Sequence, residues 1–268
     1  MPLPDPPPAA GEIAAVYGPD EGPALLLVHG WGGDAAEWGP HARAWAEHGR
    51  RVLVPELRGH GRTPPGPGGW SPRDFAADLA ALIRRSHAGP VTAVGHSMGG
   101  QIVTALAVEH PALVAALVVL DPAYGADAEE MRRLPDEQRA LRSRGTPWAV
   151  DFLHGAFSAH TPPGVRTRHL RLMAAMDPEI LAACRDGMYL TQDAFGSRKA
   201  ARRYLAHRRC PVLTVCSQPS AAHWLRSLPH HPQSHTALWP TCGHYLHEEH
   251  PDALTTLVTT WAAQLTPP

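Results

Sequence analysis

The chain has 268 residues and a formal net charge of -1 at pH 7. That near-neutral balance excludes the strongly basic surface expected of a protein that binds nucleic acid or docks on an anionic membrane. The length suits one α/β domain with one insertion, so we expect a single folding unit with a small or neutral partner.

The N-terminal segment, residues 1–22, is rich in proline and polar, and no basic flank leads into an apolar core. We therefore expect neither a signal peptide nor a membrane span, and a cytoplasmic location. The chain has four cysteines: Cys184, Cys210, Cys216 and Cys242. They lack the CxxC spacing of zinc ligands, so we expect buried thiols and no metal. No organic cofactor is expected either.

Short apolar runs alternate with helix-period segments, a pattern that predicts a parallel sheet with crossover helices. The predicted strands are Ala24 to Val28, Arg51 to Pro55, Val91 to Val94, Leu113 to Leu120, Pro211 to Cys216 and His235 to Trp239. A crossover helix should begin with Ser71 as N-cap and Pro72 at its first position and run to about Ser86. A closing helix is expected over Pro251 to Leu265.

Helix-like segments without a convincing strand fill residues 126–206. We interpret residues 123–209 as a helical lid and residues 1–122 and 210–268 as the two parts of the core domain. Most apolar side chains of the lid should serve packing, because apolar residues at helical spacing usually do. The candidates for a substrate pocket are Trp148, Phe152, Phe157, Met173, Met188 and Tyr189.

A G-x-S-x-G pattern at residues 95–99 joins the third predicted strand to a helical run. In that context a sharp turn lifts Ser97 above the sheet, and the small glycines let neighbouring backbone approach it. The other interpretation is a glycine-rich turn with an incidental serine. We predict that Ser97 is a nucleophile.

The first predicted strand ends in HGWGG at residues 29–33. An oxyanion needs two backbone donors, and we expect the N–H of Met98, directly after the nucleophile, and the N–H of Trp31. Alternatively, these glycines only make a tight turn. His29 and His96 are expected to support the loops by hydrogen bonding.

Serine needs a base to take its proton, and histidine does so best near neutral pH. Of the 18 histidines, His244 follows the last predicted strand and precedes the closing helix, so it comes after the other candidates in chain order. We predict His244 as the base. His247 and His250 are expected to be capping or surface groups.

The base needs a carboxylate to orient it. No Asp or Glu occurs from residue 194 through 247, so the loop after the Pro211 strand supplies none. Asp121 follows the preceding strand and is the predicted acid, although Asp-Pro is also a common turn opener. Three carboxylates are kept as fallbacks: Asp127, Glu129 and Glu130.

Four motifs resemble those of the α/β-hydrolase superfamily, in the same order: HGW at 29–31, RGHGR at 58–62, GHSMGG at 95–100, and GH at 243–244 with HEEHP at 247–251. The resemblance implies an α/β-hydrolase fold, which is a mostly parallel twisted sheet flanked by helices with a helical lid insertion. The predicted acid follows the strand before the one that usually carries it. In this respect the chain is similar to the zearalenone-type lactonases, although their acid is a glutamate. That similarity suggests a lactonase.

These residues predict an esterase or lactonase that forms an acyl-enzyme on Ser97. A C–C bond hydrolase, a thioesterase or a cofactor-free perhydrolase would use the same three residues, so these alternatives stay open. A small-molecule receptor on this fold is another, but a binder has no need of an activated nucleophile. Haloalkane dehalogenases and epoxide hydrolases use an aspartate at that turn, so Ser97 argues against both.

Overall fold

The computed structural model describes residues 13–265, and within them seven strands form one sheet. The strands are β1 (Ile13–Tyr17), β2 (Ala24–Val28), β3 (Arg51–Pro55), β4 (Val91–His96), β5 (Val114–Leu120), β6 (Val212–Cys216) and β7 (His235–Leu238). Their order across the sheet is β1-β3-β2-β4-β5-β6-β7. Only β1 runs antiparallel to its neighbour; the other pairs are parallel. The α/β-hydrolase fold class is confirmed.

The six predicted strands are confirmed as β2 to β7, with changes at their ends. β4 continues to His96, β7 ends one residue early, and a short 3-10 helix over residues 111–113 delays the start of β5 to Val114. β1 was missed because its sequence, IAAVY, contains two alanines and directly follows the Pro-rich segment, so it carries little strand signal. Residues 1–12, which make up most of the N-terminal segment expected to hold neither a signal peptide nor a membrane span, lie outside the described residues.

The helices are α1 (Gly39–Glu47), α2 (Pro72–Arg85), α3 (Met98–Glu109), α4 (Ala128–Arg144), α5 (Thr146–Leu153), α6 (Pro163–Ala175), α7 (Pro178–Tyr189), α8 (Arg198–Leu205), α9 (Pro219–Arg226), α10 (Leu246–Glu249) and α11 (Pro251–Ala263). The predicted crossover helix is α2, and the predicted closing helix is α11. Ser71 caps α2 through the N–H of Asp74, whose carboxylate accepts from the Ser71 N–H. This reciprocal pair explains why α2 begins where the sequence predicts.

Two hydrophobic clusters cover the two faces of the sheet. On one face, Phe75 of α2 and Ile102 of α3 are completely buried against the strands. On the other face, Trp45 of α1 and Trp261 of α11 are buried in a second cluster. Burial on both faces explains why β2 reads as an uninterrupted apolar run.

Helices α4 to α8 lie between β5 and β6 in the chain and include a third buried cluster, which contains Leu141, Trp148 and Met173. The division into a lid and a two-part core stays a prediction, and its outer limits lie outside the described residues. Among residues 13–265, no helix combines the length and the apolar composition needed to cross a lipid bilayer.

The carboxyl ends of β2, β4, β5 and β6 lie at the same edge of the sheet, because these strands are parallel neighbours. In open α/β sheets, ligands bind outside that edge. The residues that follow these strands are therefore expected to form a ligand site.

Candidate active site

Ser97 stands at the turn between β4 and α3 with φ 54° and ψ -116°, a left-handed backbone that is unfavourable for serine. The turn holds this conformation because the N–H of Ser97 donates to the Leu120 carbonyl over 2.9 Å, and its carbonyl accepts from Gln101 and Ala123. The local strain is of the kind that proteins keep at functional sites.

Two glycines allow this turn to lie against β2. A Cβ on Gly99 would lie 2.2 Å from the carbonyl oxygen of Val28, and one on Gly95 would lie 2.3 Å from the Gly99 oxygen. Both contacts are with backbone, which cannot move aside without shifting the sheet. The glycines of the motif are therefore steric requirements of the turn.

We expect Gly99→Ala to lower the free energy of unfolding by about 3 kcal/mol, because its new methyl group overlaps the β2 backbone. The measurement is urea unfolding followed by circular dichroism. Gly155→Ala is the matched control, since a Cβ there meets nothing within 4 Å. Equal stability of the two variants would contradict the steric explanation.

Asp121 follows β5 and lies beside His244, with 3.3 Å between Asp121 Oδ2 and His244 Nδ1. Ser217 holds the same carboxylate: its N–H donates to Oδ1 over 2.7 Å and its hydroxyl to Oδ2 over 2.5 Å. Burial alone would raise the pKa of Asp121, but the hydrogen bond and charge of His244, together with the Ser217 bonds, hold that pKa below its usual value. Asp121 is therefore an anion at neutral pH.

Ser217 is a site residue that sequence reasoning missed. It is the first residue after β6, where the acid was sought and not found. Instead of supplying a carboxylate, this position binds the one that follows β5. The signal available in the sequence was a hydroxyl directly after a buried strand, which is too common to stand out.

Burial lowers the pKa of His244, the hydrogen bond to Asp121 opposes that shift, and the charge of His96 lowers the pKa further. His244 is therefore neutral near pH 7, as a base must be. Ser97 and His244 line the same cavity. Within residues 13–265 no hydrogen bond joins the two side chains, so proton transfer between them stays a prediction.

The loop after β2 lies against the Ser97 turn, since a Cβ on Gly30 would be 3.3 Å from the Cβ of Ser97. None of the turn and cap hydrogen bonds of the described residues uses the N–H of Trp31 or of Met98. Both groups stay candidates for binding an oxyanion. The indole N–H of Trp31 donates to the Leu181 carbonyl over 3.0 Å and ties the loop to α7.

His29 supports this loop by hydrogen bonding, as expected. Its Nε2 accepts from the N–H of Leu57 over 3.1 Å, so Nδ1 carries the proton and donates to the Gly30 carbonyl over 2.9 Å. Burial lowers the pKa of His29, which agrees with this neutral form. His96 also bonds to a loop, through the carbonyl of His244.

The cavity beside Ser97 has a volume of about 290 Å³. Three of the six predicted pocket residues line it: Phe152, Met188 and Tyr189. The other three do not, which corrects the prediction. Trp148 and Met173 are buried in the cluster of α4 to α7, and Phe157 stacks on Tyr245 with ring centroids 5.5 Å apart. Helical spacing marked all six as inward-facing but could not separate the lid interior from the cavity wall.

Charged residues of α4 and α7 also line the cavity, and of these the sequence analysis considered only Glu130, as a fallback acid. Arg185 is only 5% exposed, and its guanidinium donates to Glu137 over 2.6 Å. The guanidinium also lies 4.9 Å from the ring centre of Phe152 and 5.7 Å from that of Trp31. A lone arginine among the apolar positions of α7 was the available signal.

A family model described as the alpha/beta hydrolase fold matches residues 23–203, more than half of the chain. The chain belongs to the alpha/beta hydrolase family.

This alpha/beta hydrolase is 42% identical over 89 residues to lipase LipV from Mycobacterium tuberculosis, and that match covers 33% of this chain and 34% of the lipase. A thermophilic esterase from Thermogutta terrifontis has a TM-score of 0.78 and 25% identity, over 93% of this chain and 92% of the esterase. The enol-lactonase from Burkholderia xenovorans LB400 has a TM-score of 0.79 and 19% identity, over 93% of this chain and 95% of the lactonase, and shows the fold alone. The chain thus spans about a third of the curated lipase but nearly all of the two structures.

In this hydrolase none of the fallback acids forms a hydrogen bond with His244, although Glu130 lines the cavity. Asp127 caps α4 by accepting from the N–H groups of Glu129 and Glu130, and the Glu130 carboxylate reaches back to the Asp127 N–H over 2.7 Å. These roles account for Asp127 and Glu130 without catalysis. Asp121 is the carboxylate that contacts His244 among the described residues.

His247 is not the capping or surface group that we expected. Its side chain is completely buried, and Nε2 lies 3.1 Å from Oε1 of Glu37, a residue that sequence reasoning did not consider. His250 is exposed and lies at the N-cap of α11, in line with the prediction.

Side chains at residues 37, 96 and 247 lie close enough together to hold a metal ion, as do those at 242, 249 and 250. The four cysteines are free; three are buried and Cys210 is half-buried.

Proposed function

We propose that this α/β hydrolase cleaves a small carboxylic ester or lactone through an acyl-enzyme on Ser97. One observation carries the proposal: the strained turn presents Ser97 to the same cavity as His244, and Nδ1 of His244 contacts the anion of Asp121. That arrangement can activate a hydroxyl and has no evident use in packing.

In the proposed mechanism, Ser97 Oγ attacks the substrate carbonyl carbon while its proton passes to Nε2 of His244. Asp121 stabilises the resulting imidazolium. The negative charge on the carbonyl oxygen is met by the N–H groups of Trp31 and Met98. His244 then protonates the departing alkoxide, which leaves as an alcohol. A water molecule, deprotonated by His244, attacks the acyl carbon, and His244 then returns the proton to Ser97 Oγ as the bond to the acyl group breaks and the acid leaves.

The cavity favours a small substrate, because about 290 Å³ is at the lower end of ligand-pocket volumes. Phe152 and Met188 give it apolar wall, while Arg185 is already paired with Glu137. Helices α4 to α8 are proposed to act as its lid. The name of the structurally similar esterase supports an ester substrate, and the acid after β5 keeps the zearalenone-type lactonases as a model for the lactone branch.

The test is labelling by a fluorophosphonate, followed by intact mass, in the native chain and in Ser97→Ala. The native chain should gain one phosphonyl group, and the variant none. Labelling that persists in the variant would remove Ser97 from the mechanism. A receptor without an activated serine would leave the native chain unlabelled.

A turnover screen then separates the bond types. Short-chain esters, lactones, thioesters and vinylogous diketones are compared at equal concentration, with an arm containing hydrogen peroxide for perhydrolysis. We expect esters or lactones to give the highest kcat/KM. A preference for thioesters, diketones or peroxide would replace the proposal by the corresponding alternative.

We expect Phe152→Ala to raise KM about tenfold for esters with an aromatic or branched acyl group and to change kcat little. Phe152 lines the cavity and is 47% exposed, so its removal costs substrate contact and little stability. Steady-state kinetics measure the effect. Val16→Ala is the matched control, because Val16 is equally exposed but lies on β1, away from the cavity. An unchanged KM would place the substrate elsewhere.

A further inference from the structure

Behind the candidate site, Glu37, His96 and His247 form a buried cluster. Their side chains are 1%, 1% and 0% exposed. Oε1 of Glu37 lies 3.0 Å from Nδ1 of His96 and 3.1 Å from Nε2 of His247, and Oε2 accepts from the N–H of Gly30 over 3.4 Å. A carboxylate this deep is costly unless it is paired, so the cluster needs an explanation.

The protons of His96 follow from its partners. Its Nε2 lies 2.9 Å from the carbonyl oxygen of His244, and its Nδ1 faces the Glu37 carboxylate. A carbonyl only accepts, and an ionised carboxylate only accepts, so both ring nitrogens must donate. Rotating the ring by 180° would put carbon atoms at both positions and lose both contacts, so the two acceptors also fix the orientation of the ring. His96 is therefore an imidazolium paired with the Glu37 anion.

The directions of the pKa shifts in the cluster agree with this assignment. Burial would lower the pKa of His96, but the charge of Glu37 and the hydrogen bond to it raise that pKa above its ordinary value. Burial would raise the pKa of Glu37, but His96 and His247 hold it well below. Burial lowers the pKa of His247, which donates to Glu37 as a neutral ring.

His96 touches the proposed base in two ways. The rings of His96 and His244 have centroids 4.6 Å apart, so a cation lies directly beside the base. The backbone of His244 is held on both sides, since its N–H donates to the Ala156 carbonyl over 2.8 Å and its carbonyl accepts from His96. The ring contact disfavours a positive charge on His244, because His96 already carries one. The backbone bonds position the loop that carries His244.

We propose that His96 is a permanently protonated positioning residue, balanced by Glu37, that keeps His244 unprotonated in mildly acidic solution and anchors its backbone. The effect of His96 on catalysis rests on the proposed function, in which His244 is the base. The protonation state of His96 is independent of that function.

Other groups act on the same two rings. Asp121 faces His244 from the end of β5 and favours its protonated form. The phenol ring of Tyr245 lies 5.1 Å from His96 and 5.7 Å from His244, and burial raises its pKa well above 10, so it is neutral. From α10, His247 lies 4.5 Å from His96, and the Glu248 carboxylate favours the protonated form of His96.

The first experiment measures protons directly. Long-range 15N–1H spectra of the full chain are recorded at about pH 8, where an ordinary histidine is neutral, and His96 is assigned with His96→Gln. We expect the native His96 to show two protonated nitrogens. In Glu37→Gln the amide can donate to Nδ1, so His96 becomes neutral while its bond to the His244 carbonyl persists. Glu56→Gln is the matched control, because Glu56 is another buried acid, bonded to Arg62, and should leave His96 charged.

The second experiment compares pH profiles of kcat/KM for the best substrate found in the screen. In Glu37→Gln, His96 loses its positive charge, which should raise the pKa of His244. The acid limb of the kcat/KM profile should therefore move to higher pH by about 0.5 unit, while the plateau value of kcat/KM stays within twofold of the native one. The shift is modest because the lost Glu37 charge offsets part of it. An unmoved limb overturns the charge effect. If no substrate turns over, the His244 pKa from NMR titration supplies the same comparison.

A metal ion on the same three side chains is the competing explanation. Metal analysis of the purified native protein should give far less than one equivalent of zinc. A full equivalent, lost in Glu37→Gln, would overturn the proposal, because a metal at Nδ1 would replace the proton of His96. A neutral native His96 without metal would overturn it as well.

Discussion

Asp121→Asn is expected to lower kcat for the best ester or lactone by about 10⁴-fold while leaving the fold intact. The asparagine can keep an oxygen toward the N–H of Ser217, but its amide group cannot accept the Nδ1 proton of His244 and also neutralise an imidazolium. The histidine would then adopt the wrong tautomer, with its proton on the nitrogen that should receive one from Ser97. Steady-state kinetics with matched thermal unfolding measure this effect.

Two further variants make this result specific. Ser217→Ala removes the hydrogen bond from the hydroxyl to the carboxylate but keeps the bond from the backbone N–H and the charge of Asp121, so kcat should fall only about tenfold. Asp127→Asn changes the cap of α4 and should leave kcat within twofold, because Asp127 bonds to that helix rather than to the base. If Asp121→Asn turned over nearly normally, Asp121 would not be the acid.

The fold could be predicted because its signals are local. Strands buried on both faces give continuous apolar runs, and the Ser71 cap marks the start of α2. The turn at Ser97 was also visible, since backbone contacts of 2.2 and 2.3 Å leave no space for side chains at Gly99 and Gly95. A steric requirement of that kind places glycines at fixed positions around the serine, and such a pattern can be recognised in the sequence.

The rest of the site depends on pairings between distant segments, which spacing does not encode. Ser217 matters because β6 lies beside β5, so that its hydroxyl meets Asp121. Glu37 and His247 are 210 residues apart and meet only in the folded chain. His247 looked like a surface group because α10 is a single turn, too short for an amphipathic pattern to reveal its buried face.

His244→Gln carries the largest expected loss, about 10⁶-fold in kcat. Glutamine can bond to Asp121 but cannot take a proton near neutral pH, so Ser97 would keep its hydrogen and attack poorly. The measurement is single-turnover release of a chromogenic alcohol, which detects slow acylation. His250→Gln is the matched control, because His250 is exposed at the N-cap of α11 and should leave kcat within twofold.

Neighbouring histidines should not rescue this variant. His96 has both ring nitrogens engaged by acceptors, and His247 is completely buried against Glu37, so neither offers a free lone pair to the cavity. If His244→Gln kept more than a hundredth of native kcat, the base would have to be a group outside this set. Because Asp121 contacts Ser97 only through His244 in the proposed mechanism, the effect of Asp121→Asn should then disappear in the double variant, and its persistence would assign Asp121 an independent role.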